Sequence, residues 1–186
     1  MSINLDALDQ FRKHPAPSGT DYPAGVVRLF SPDDNIHAAM VYVVEHTQVS
    51  LGSAMYGWDD DEIQQLFQKV WLDERLPVVL ALDSSQAGGV HERTLLAQLE
   101  AKLPAGTLGN ELVIGRSRKH AISHLKLIRS DDITIGGSTN LSASGEGAQN
   151  NEAIFIRSAS YALETQAKID LTVAEMRAQM SAASAA

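Results

Sequence analysis

Short apolar runs alternate along this chain with segments that carry helix signals. The apolar runs predict strands at residues 26–30, 49–56, 77–83 and 111–115. Capping residues, acidic starts and helical spacing predict helices between them, from Ser31 as N-cap to about His46, over 59–72 and over 91–103. This alternation is typical of an α/β domain with a mixed, largely parallel sheet flanked by helices on both faces.

The pattern changes after the fourth strand. Polar and apolar residues alternate over 123–129, which predicts a strand with His124, Lys126 and Ile128 on one face. Asp131 begins a reversal into a short returning strand. The further elements predicted are that strand, a Gly/Ser-rich loop, another strand and a last helix, at 133–135, 142–150, 152–157 and 158–180.

Length and composition point to a single domain. A chain of 186 residues supports one core, which we place at 26–180. Proline and glycine interrupt residues 1–25, predicted to be a loosely ordered arm, and the small residues 181–186 predict a disordered tail. There is no cysteine for disulfides, and no stretch approaches the roughly 18 apolar residues of a membrane span. A soluble, cytoplasmic protein is expected.

The charge distribution is uneven. The formal net charge is −8, which is unusual for a protein that tracks along nucleic acid. Between residues 113 and 130, however, acidic residues are absent and basic ones cluster, namely Arg116, Arg118, Lys119, His120, His124, Lys126 and Arg129. Two interpretations remain open: a local positive pocket suited to a single phosphate, or an ordinary solvated face.

The segment that begins at His124 carries the candidate chemistry. One strand face holds an imidazole and the Lys126 ammonium side by side. Gly137 then permits close approach of the backbone to a ligand, and Ser138 and Asn140 add hydroxyl and amide donors. A nucleophile, a cation and several donors in one hairpin suit attack on a phosphate ester.

These residues also stand in a recognisable order. The pattern His124-x-Lys126-x4-Asp131, then Gly137-Ser138-x-Asn140 and Asn151-Glu152, resembles the signature of the phospholipase D superfamily. The resemblance covers roughly residues 26–180. One departure is that five residues separate Asp131 from Gly137, where the family commonly has six, so we expect a hairpin tightened by one residue.

The resemblance implies a role for each residue. His124 would be the nucleophile that forms a phosphohistidine, and Glu152 would orient its ring. Lys126, Gly137, Ser138 and Asn140 would bind the phosphoryl oxygens. Asp131 completes the catalytic set with His124, Lys126 and Glu152. The family mechanism needs no metal ion or other cofactor.

The chain contains one copy of the signature, whereas the family's sites use two histidines. The resemblance therefore implies a homodimer in which two copies of His124 share one phosphodiesterase site. The favoured substrate is nucleic acid, which makes the protein a candidate endonuclease. Two alternatives are hydrolysis or transfer of phospholipid head groups, and a non-catalytic regulatory module with the same fold.

Metal binding has one candidate in the sequence. His120 and His124 are four apart, a spacing that suits two ligands on a helix, but the alternation through Ile128 indicates a strand. No metal site is therefore expected. The other histidines are interpreted as surface or structural residues, at positions 14, 37, 46 and 91.

Overall fold

The protein forms one seven-stranded sheet covered by helices on both faces. The structure, a computed structural model, describes residues 3–13, 22–85, 93–94, 97–98, 101, 112–118 and 121–184. The strands are β1 (Val26–Ser31), β2 (Leu51–Met55), β3 (Val78–Asp83), β4 (Leu112–Gly115), β5 (Lys126–Ser130), β6 (Ile133–Gly137) and β7 (Asn151–Arg157). The helices labelled here are α1 (Ile36–Glu45), α2 (Asp61–Gln68), α3 (Ala143–Gly147) and α4 (Ala159–Ser184).

The strand order is β1-β7-β6-β5-β2-β3-β4. The predicted mixed α/β sheet is confirmed, but antiparallel pairing predominates where parallel pairing was expected. Four neighbouring pairs are antiparallel, and only β2–β3 and β3–β4 are parallel. The reason lies in the second half of the chain, where the tight turn from β5 to β6 allows only an antiparallel neighbour.

The two sheet faces build separate cores. Helices α1 and α2 lie over the larger core, which includes Leu29, Phe67 and Phe155. Helix α4 lies over the other face, where Ile169 and Met176 meet the small residues of β2 and β3. Within the described residues, no helix, including the 26-residue α4, combines the length and apolarity needed to cross a bilayer.

The first long helix begins later than predicted. Ser31 is the last residue of β1 rather than an N-cap, and its hydroxyl donates to the Gln149 carbonyl at 2.7 Å. The N-cap is Asn35, whose Oδ1 accepts a hydrogen bond from the Ala38 amide at 3.1 Å. Asn is as good an N-cap as Ser, so the tertiary contact of Ser31 decides between them.

Four other segments bear on the predictions. The N-terminal arm is not loose throughout, because a 3₁₀ helix at Leu5–Phe11 buries Leu5 and Leu8. The predicted loop 142–150 contains α3, and the predicted tail continues α4 as far as Ser184. The helix expected over 91–103 lies mostly outside the described residues, although Arg93, Thr94, Ala97 and Gln98 are helical. A π-helical turn, Lys69–Asp73, extends α2.

Candidate active site

Except for Asp131, the predicted site residues lie at one end of the sheet. Strands β2 and β6 end there, and the antiparallel strands β5 and β7 begin there. The carboxyl ends of parallel strands are where α/β sheets commonly bind ligands. The structure therefore brings the start of the 124–126 segment to the segments at 56–57 and 137–140.

His124 and Lys126 are adjacent but differ in exposure. His124 precedes β5 and its ring is exposed, whereas Lys126 is the first residue of β5 and only 8% exposed. The Lys126 ammonium donates to the His124 carbonyl at 3.2 Å. Burial lowers the pKa of Lys126. The pair thus offers an accessible imidazole beside a cation that is partly stripped of water.

Two residues that the sequence analysis did not identify hold this pair. The centroid of the Tyr56 ring lies 4.6 Å from the centroid of the His124 ring. The same centroid lies 4.8 Å from Nζ of Lys126. The buried Asp83, at the end of β3, accepts a hydrogen bond from the Ser123 amide at 2.5 Å. Tyr56 therefore orients the two side chains, and Asp83 anchors the backbone just before them.

Asn140 is positioned by the loop after β2. Its Oδ1 accepts a hydrogen bond from the Gly57 amide at 3.2 Å, which leaves the side-chain NH₂ as the group that can donate to a ligand. The approach needs glycine, because a Cβ at Gly57 would lie 2.9 Å from Asn140 Cγ. Gly57 was not predicted, and its sequence signal is only its place after a buried strand.

Ser138 and Gly137 shape the turn out of β6. Gly137 has φ 143°, and a side chain there would collide with the carbonyl of Glu152. The Ser138 hydroxyl donates to Asn151 Oδ1 at 3.0 Å and accepts from the Glu152 amide at 3.0 Å. The structure thus uses Ser138 to hold the start of β7 beside the site.

Glu152 is directed elsewhere than predicted. Its carboxylate receives a hydrogen bond from Arg28 Nε at 2.8 Å and a second, shorter one from Arg28 Nη2. Within the described part of the chain, no hydrogen bond joins Glu152 to His124. The structure therefore does not bring these two residues together, and Arg28 is the partner that it assigns to Glu152.

Asp131 lies at the opposite end of β5 from His124. At about 3.3 Å per residue, the strand places the two roughly 20 Å apart. The Asp131 carboxylate accepts hydrogen bonds from three consecutive amides at 2.8 to 3.1 Å, those of Gln48, Val49 and Ser50. The structure does not bring Asp131 to His124, and its carboxylate anchors the loop before β2.

The basic stretch does not form one pocket. Arg118 makes an ion pair with Glu175 of α4, Nε to Oε1 at 2.8 Å. Arg129 faces α4 and donates to Gln166 at 2.7 Å, on the sheet face opposite Lys126. Lys119 and His120 lie outside the described residues. Among the described basic residues of this stretch, Lys126 is the one that the structure places next to His124.

A second polar cluster lies beside this end of the sheet. His37 of α1 contacts the Asp60 carboxylate through Nδ1 at 2.9 Å and the Glu62 carboxylate through Nε2 at 2.8 Å. Nδ1 also contacts Glu146 of α3 at short range. Sequence reasoning missed this cluster, because its members come from distant segments and His37 has no motif around it.

The cluster perturbs the ionisation of its members. Burial opposes protonation of His37, but its contacts with Glu62, Glu146 and Asp60 outweigh this and raise its pKa to about 9. Burial, and then the neighbouring Asp60, raise the pKa of Glu146 to about 8, although His37 acts in the other direction. Buried carboxylates that face each other cannot all ionise without a compensating charge.

Comparisons with known proteins are informative at the level of structure. No family model matches the sequence, and no curated protein matches it at a significant level. The phospholipase D family member Nuc from Salmonella typhimurium superposes with a TM-score of 0.67 and 14% identity, over 81% of this chain and 94% of Nuc. NucT from Helicobacter pylori gives 0.65 and 13%, over 81% of this chain and 96% of NucT.

A larger protein shares the same architecture. Phosphatidylserine synthase from Haemophilus influenzae superposes with a TM-score of 0.60 and 16% identity, over 81% of this chain but only 38% of the synthase. At identities this low, the likeness establishes the fold and leaves the activity to be argued from the site. The resemblance seen in the motif and the superposition of the whole sheet agree: this chain has the phospholipase D fold.

Proposed function

We propose that this protein is a phosphodiesterase that cleaves nucleic acid through a phosphohistidine intermediate. The observation that carries the proposal is the exposed His124 imidazole beside the largely buried Lys126 ammonium, at the open end of the sheet. An accessible nucleophile next to a desolvated cation suits a reaction in which negative charge grows on phosphoryl oxygens. The fold shared with phospholipase D proteins supports the same conclusion.

The reaction balances in two displacements. In the first, a neutral His124 nitrogen attacks phosphorus, a P–N bond forms, and the P–O bond to the leaving group breaks. The departing alkoxide takes a proton from an imidazolium on the opposite side. In the second, that imidazole accepts a proton from water, whose oxygen bonds to phosphorus as the P–N bond breaks. One water molecule is consumed, and Lys126 and Asn140 donate to the phosphoryl oxygens in both steps.

The imidazolium on the opposite side comes from a second subunit in this proposal. In-line displacement requires the acid to face the nucleophile across phosphorus. A two-fold axis through the site would place the partner subunit's His124 there without any further residue. The exposed position of His124 supports this arrangement, as does the apolar Ile122, which is 49% exposed two residues earlier.

Fewer observations support the choice of substrate class. Nucleic acid is favoured because Nuc and NucT are fold neighbours that match over nearly their whole length. The phosphatidylserine synthase neighbour favours a second candidate, phospholipid head-group hydrolysis or transfer. In either case the site would take one phosphodiester at a time, because Lys126 is the basic residue placed at His124.

The test compares wild type with His124→Ala and with His46→Ala, an exposed histidine at the end of α1. Bis-p-nitrophenyl phosphate serves as a generic substrate, and single-stranded DNA, RNA and phosphatidylcholine vesicles follow. We expect turnover by wild type and His46→Ala, none by folded His124→Ala, and a preference for nucleic acid. A folded wild-type protein without turnover on any substrate would instead support the non-catalytic module.

A further inference from the structure

The cluster of His37, Asp60 and Glu146 has no part in the proposed reaction. It lines a cavity of about 540 Å³ that also borders Asp61 and Glu62. The Nδ1 atom of His37 and one oxygen from each of the two carboxylates lie within 4.8 Å of one another. Three ligand atoms of this kind, converging from three separate segments, are the donor set of a metal site.

Glu146 shows that the cluster lacks a partner. Its side chain is only 2% exposed, and its Oε1 atom is buried and receives no hydrogen bond from the described residues. Its carboxyl group also lies against that of Asp60, so that two acceptors face each other. Only a proton or a cation between them makes such a contact favourable.

The charges of the cluster are also unbalanced. Asp60, Glu62 and Glu146 supply three carboxylates, and His37 supplies at most one positive charge. If all three carboxylates are ionised, one imidazolium balances only one of them within the cluster, and two negative charges remain. A divalent cation in place of the proton on Nδ1 supplies what is missing.

The surrounding hydrogen bonds hold the Asp60 and His37 side chains in orientations suited to binding a metal ion. Asp60 Oδ1 accepts a hydrogen bond from the Ile63 amide at 2.9 Å as the N-cap of α2, which leaves Oδ2 directed at His37. Glu62 receives the proton of His37 Nε2 at 2.8 Å. A carboxylate that holds the far nitrogen of a metal-binding histidine is the usual way in which its tautomer is set.

We propose that His37 Nδ1, Asp60 Oδ2 and Glu146 bind a divalent transition-metal ion, for which Zn²⁺ is the probe. One imidazole nitrogen with two carboxylate oxygens favours Zn²⁺ or Mn²⁺ over Ca²⁺ or Mg²⁺. Bonds of about 2.0–2.2 Å place ligand atoms roughly 3.3–3.6 Å apart in a tetrahedral shell. His37 Nδ1 and Asp60 Oδ2, now 2.9 Å apart, would separate slightly to admit the ion, and the cavity would leave the fourth position to water.

The position of this ion gives it a structural role. It joins α1, the start of α2 and α3 at their common cavity. Helix α3 begins three residues after Asn140, and the Asp59 amide donates to the Leu141 carbonyl at 2.8 Å. A bound ion therefore stiffens the segment that carries Asn140 without touching the phosphodiester.

The experiment uses the full chain after dialysis against a chelator. Titration with ZnCl₂ is followed by calorimetry, and the thermal midpoint is measured with and without the ion. We expect one Zn²⁺ per chain and a higher midpoint when it is bound. Glu146→Gln should weaken binding at least tenfold. Asp61→Asn, which removes an exposed carboxylate from the same cavity, should bind like wild type.

Two further measurements separate this site from the proposed reaction. His124→Ala should keep full Zn²⁺ stoichiometry even though it loses turnover, and loss of binding in that variant would overturn the assignment of ligands. Co²⁺ bound to wild type should show intense visible absorption that Zn²⁺ abolishes, which requires no variant to fold. Absence of saturable Zn²⁺ binding, a cobalt spectrum like that of the free ion, or unchanged binding by folded Glu146→Gln would each refute the site.

Discussion

Lys126 combines a charge with a largely buried position. This first residue of β5 is only 8% exposed, and its ammonium lies 4.8 Å from the centroid of the Tyr56 ring. Burial of the ammonium lowers its pKa, and the same desolvation costs folding energy. A desolvated cation of this kind destabilises the fold, and in the proposed reaction its use is to meet an anionic phosphoryl group.

Lys126→Met should separate stability from function. The substitution keeps the apolar stem and removes a desolvated charge, so the free energy of unfolding should not fall. Turnover should fall by roughly 10²–10³-fold, the usual effect of losing one donor to a transition-state oxyanion. Urea denaturation and kcat/KM measure the two quantities. Lys69→Met is the matched control, because Lys69 is half exposed and pairs with Glu74. Unchanged kcat/KM in Lys126→Met would contradict the proposed role of Lys126 in binding the phosphoryl group.

Glu152 and Arg28 provide a second test at the residue scale. The two side chains are partly exposed, so their ion pair should contribute no more than about 1 kcal/mol to stability. If Glu152 leaves Arg28 to orient His124 during the reaction, Glu152→Gln should lower kcat by roughly 10²-fold while Arg28→Ala changes it little. Equal, small effects of both substitutions on kcat would leave Glu152 with Arg28 alone and remove it from the mechanism.

The β5–β6 hairpin has the candidate site at one end and a structural turn at the other. At one end, the start of β5 and the exit of β6 carry His124, Lys126 and Asn140. At the other, Asp131 turns the chain with φ 53° and binds the loop before β2. Asp tolerates this backbone conformation better than most residues because its short polar side chain can bond locally.

Asp131→Ala should therefore reduce stability and not chemistry. Three amides lose their acceptor and alanine is strained at positive φ, which together should cost about 2–3 kcal/mol of unfolding free energy. Asp131→Asn should cost less, because asparagine keeps one acceptor oxygen and tolerates the conformation. Asp132→Ala serves as control, and kcat of the folded proteins should remain that of wild type. A loss of kcat in a stably folded Asp131→Asn would return Asp131 to the catalytic set.

For the proposed reaction, the site of one chain is incomplete. The described part of the chain supplies one histidine next to Lys126, and in-line chemistry needs an acid on the far side of phosphorus. The proposed two-fold assembly would add it.

The net charge of the whole chain also bears on the proposed substrate. A charge of −8 opposes the binding of nucleic acid except where Lys126 and the proposed bound cation offset it locally.

Subunit mixing tests the shared site. Wild type and excess His124→Ala are incubated until they exchange, and activity is measured against the wild-type fraction. Because a mixed dimer lacks either nucleophile or acid, activity should fall with the square of that fraction rather than in proportion to it. Sedimentation must show a dimer under the same conditions. A fully active monomer, or proportional loss of activity, would show that one chain holds a complete site.

Chelation tests whether the proposed metal ion is needed for stability but not for turnover. The proposed chemistry uses His124 and Lys126 without an ion, whereas the proposed ion stabilises the fold. Excess EDTA should therefore lower the thermal midpoint but leave the initial rate unchanged at a temperature where circular dichroism shows a folded protein. Loss of the rate in a folded, chelated protein, with recovery on adding Zn²⁺, would mean that the metal takes part in turnover.

The local pattern of polar and apolar residues was sufficient to predict many of the strands and the segment that carries the candidate site. Each strand predicted before residue 120 is present within two residues of its predicted limits, since alternation and apolar runs reflect the local burial of a strand. The site segment was also readable, because one hairpin carries His124, Lys126 and Asn140 within a short stretch of chain. The period of two predicted that Lys126 and Ile128 share a face of the strand, and their burial confirms it.

Other features depended on what the fold brings together. Asp131 stands close to His124 in sequence, yet a strand separates them, because an extended chain moves about 3.3 Å with every residue. Glu152 follows the motif but meets Arg28 through the pairing of β7 with β1, a contact between residues far apart in the chain. The antiparallel majority of the sheet likewise follows from which strands become neighbours. The sequence determined the elements and the reactive hairpin, whereas only the tertiary structure could unite His37 with Asp60 and Glu146, since no local pattern encodes a contact among three distant segments.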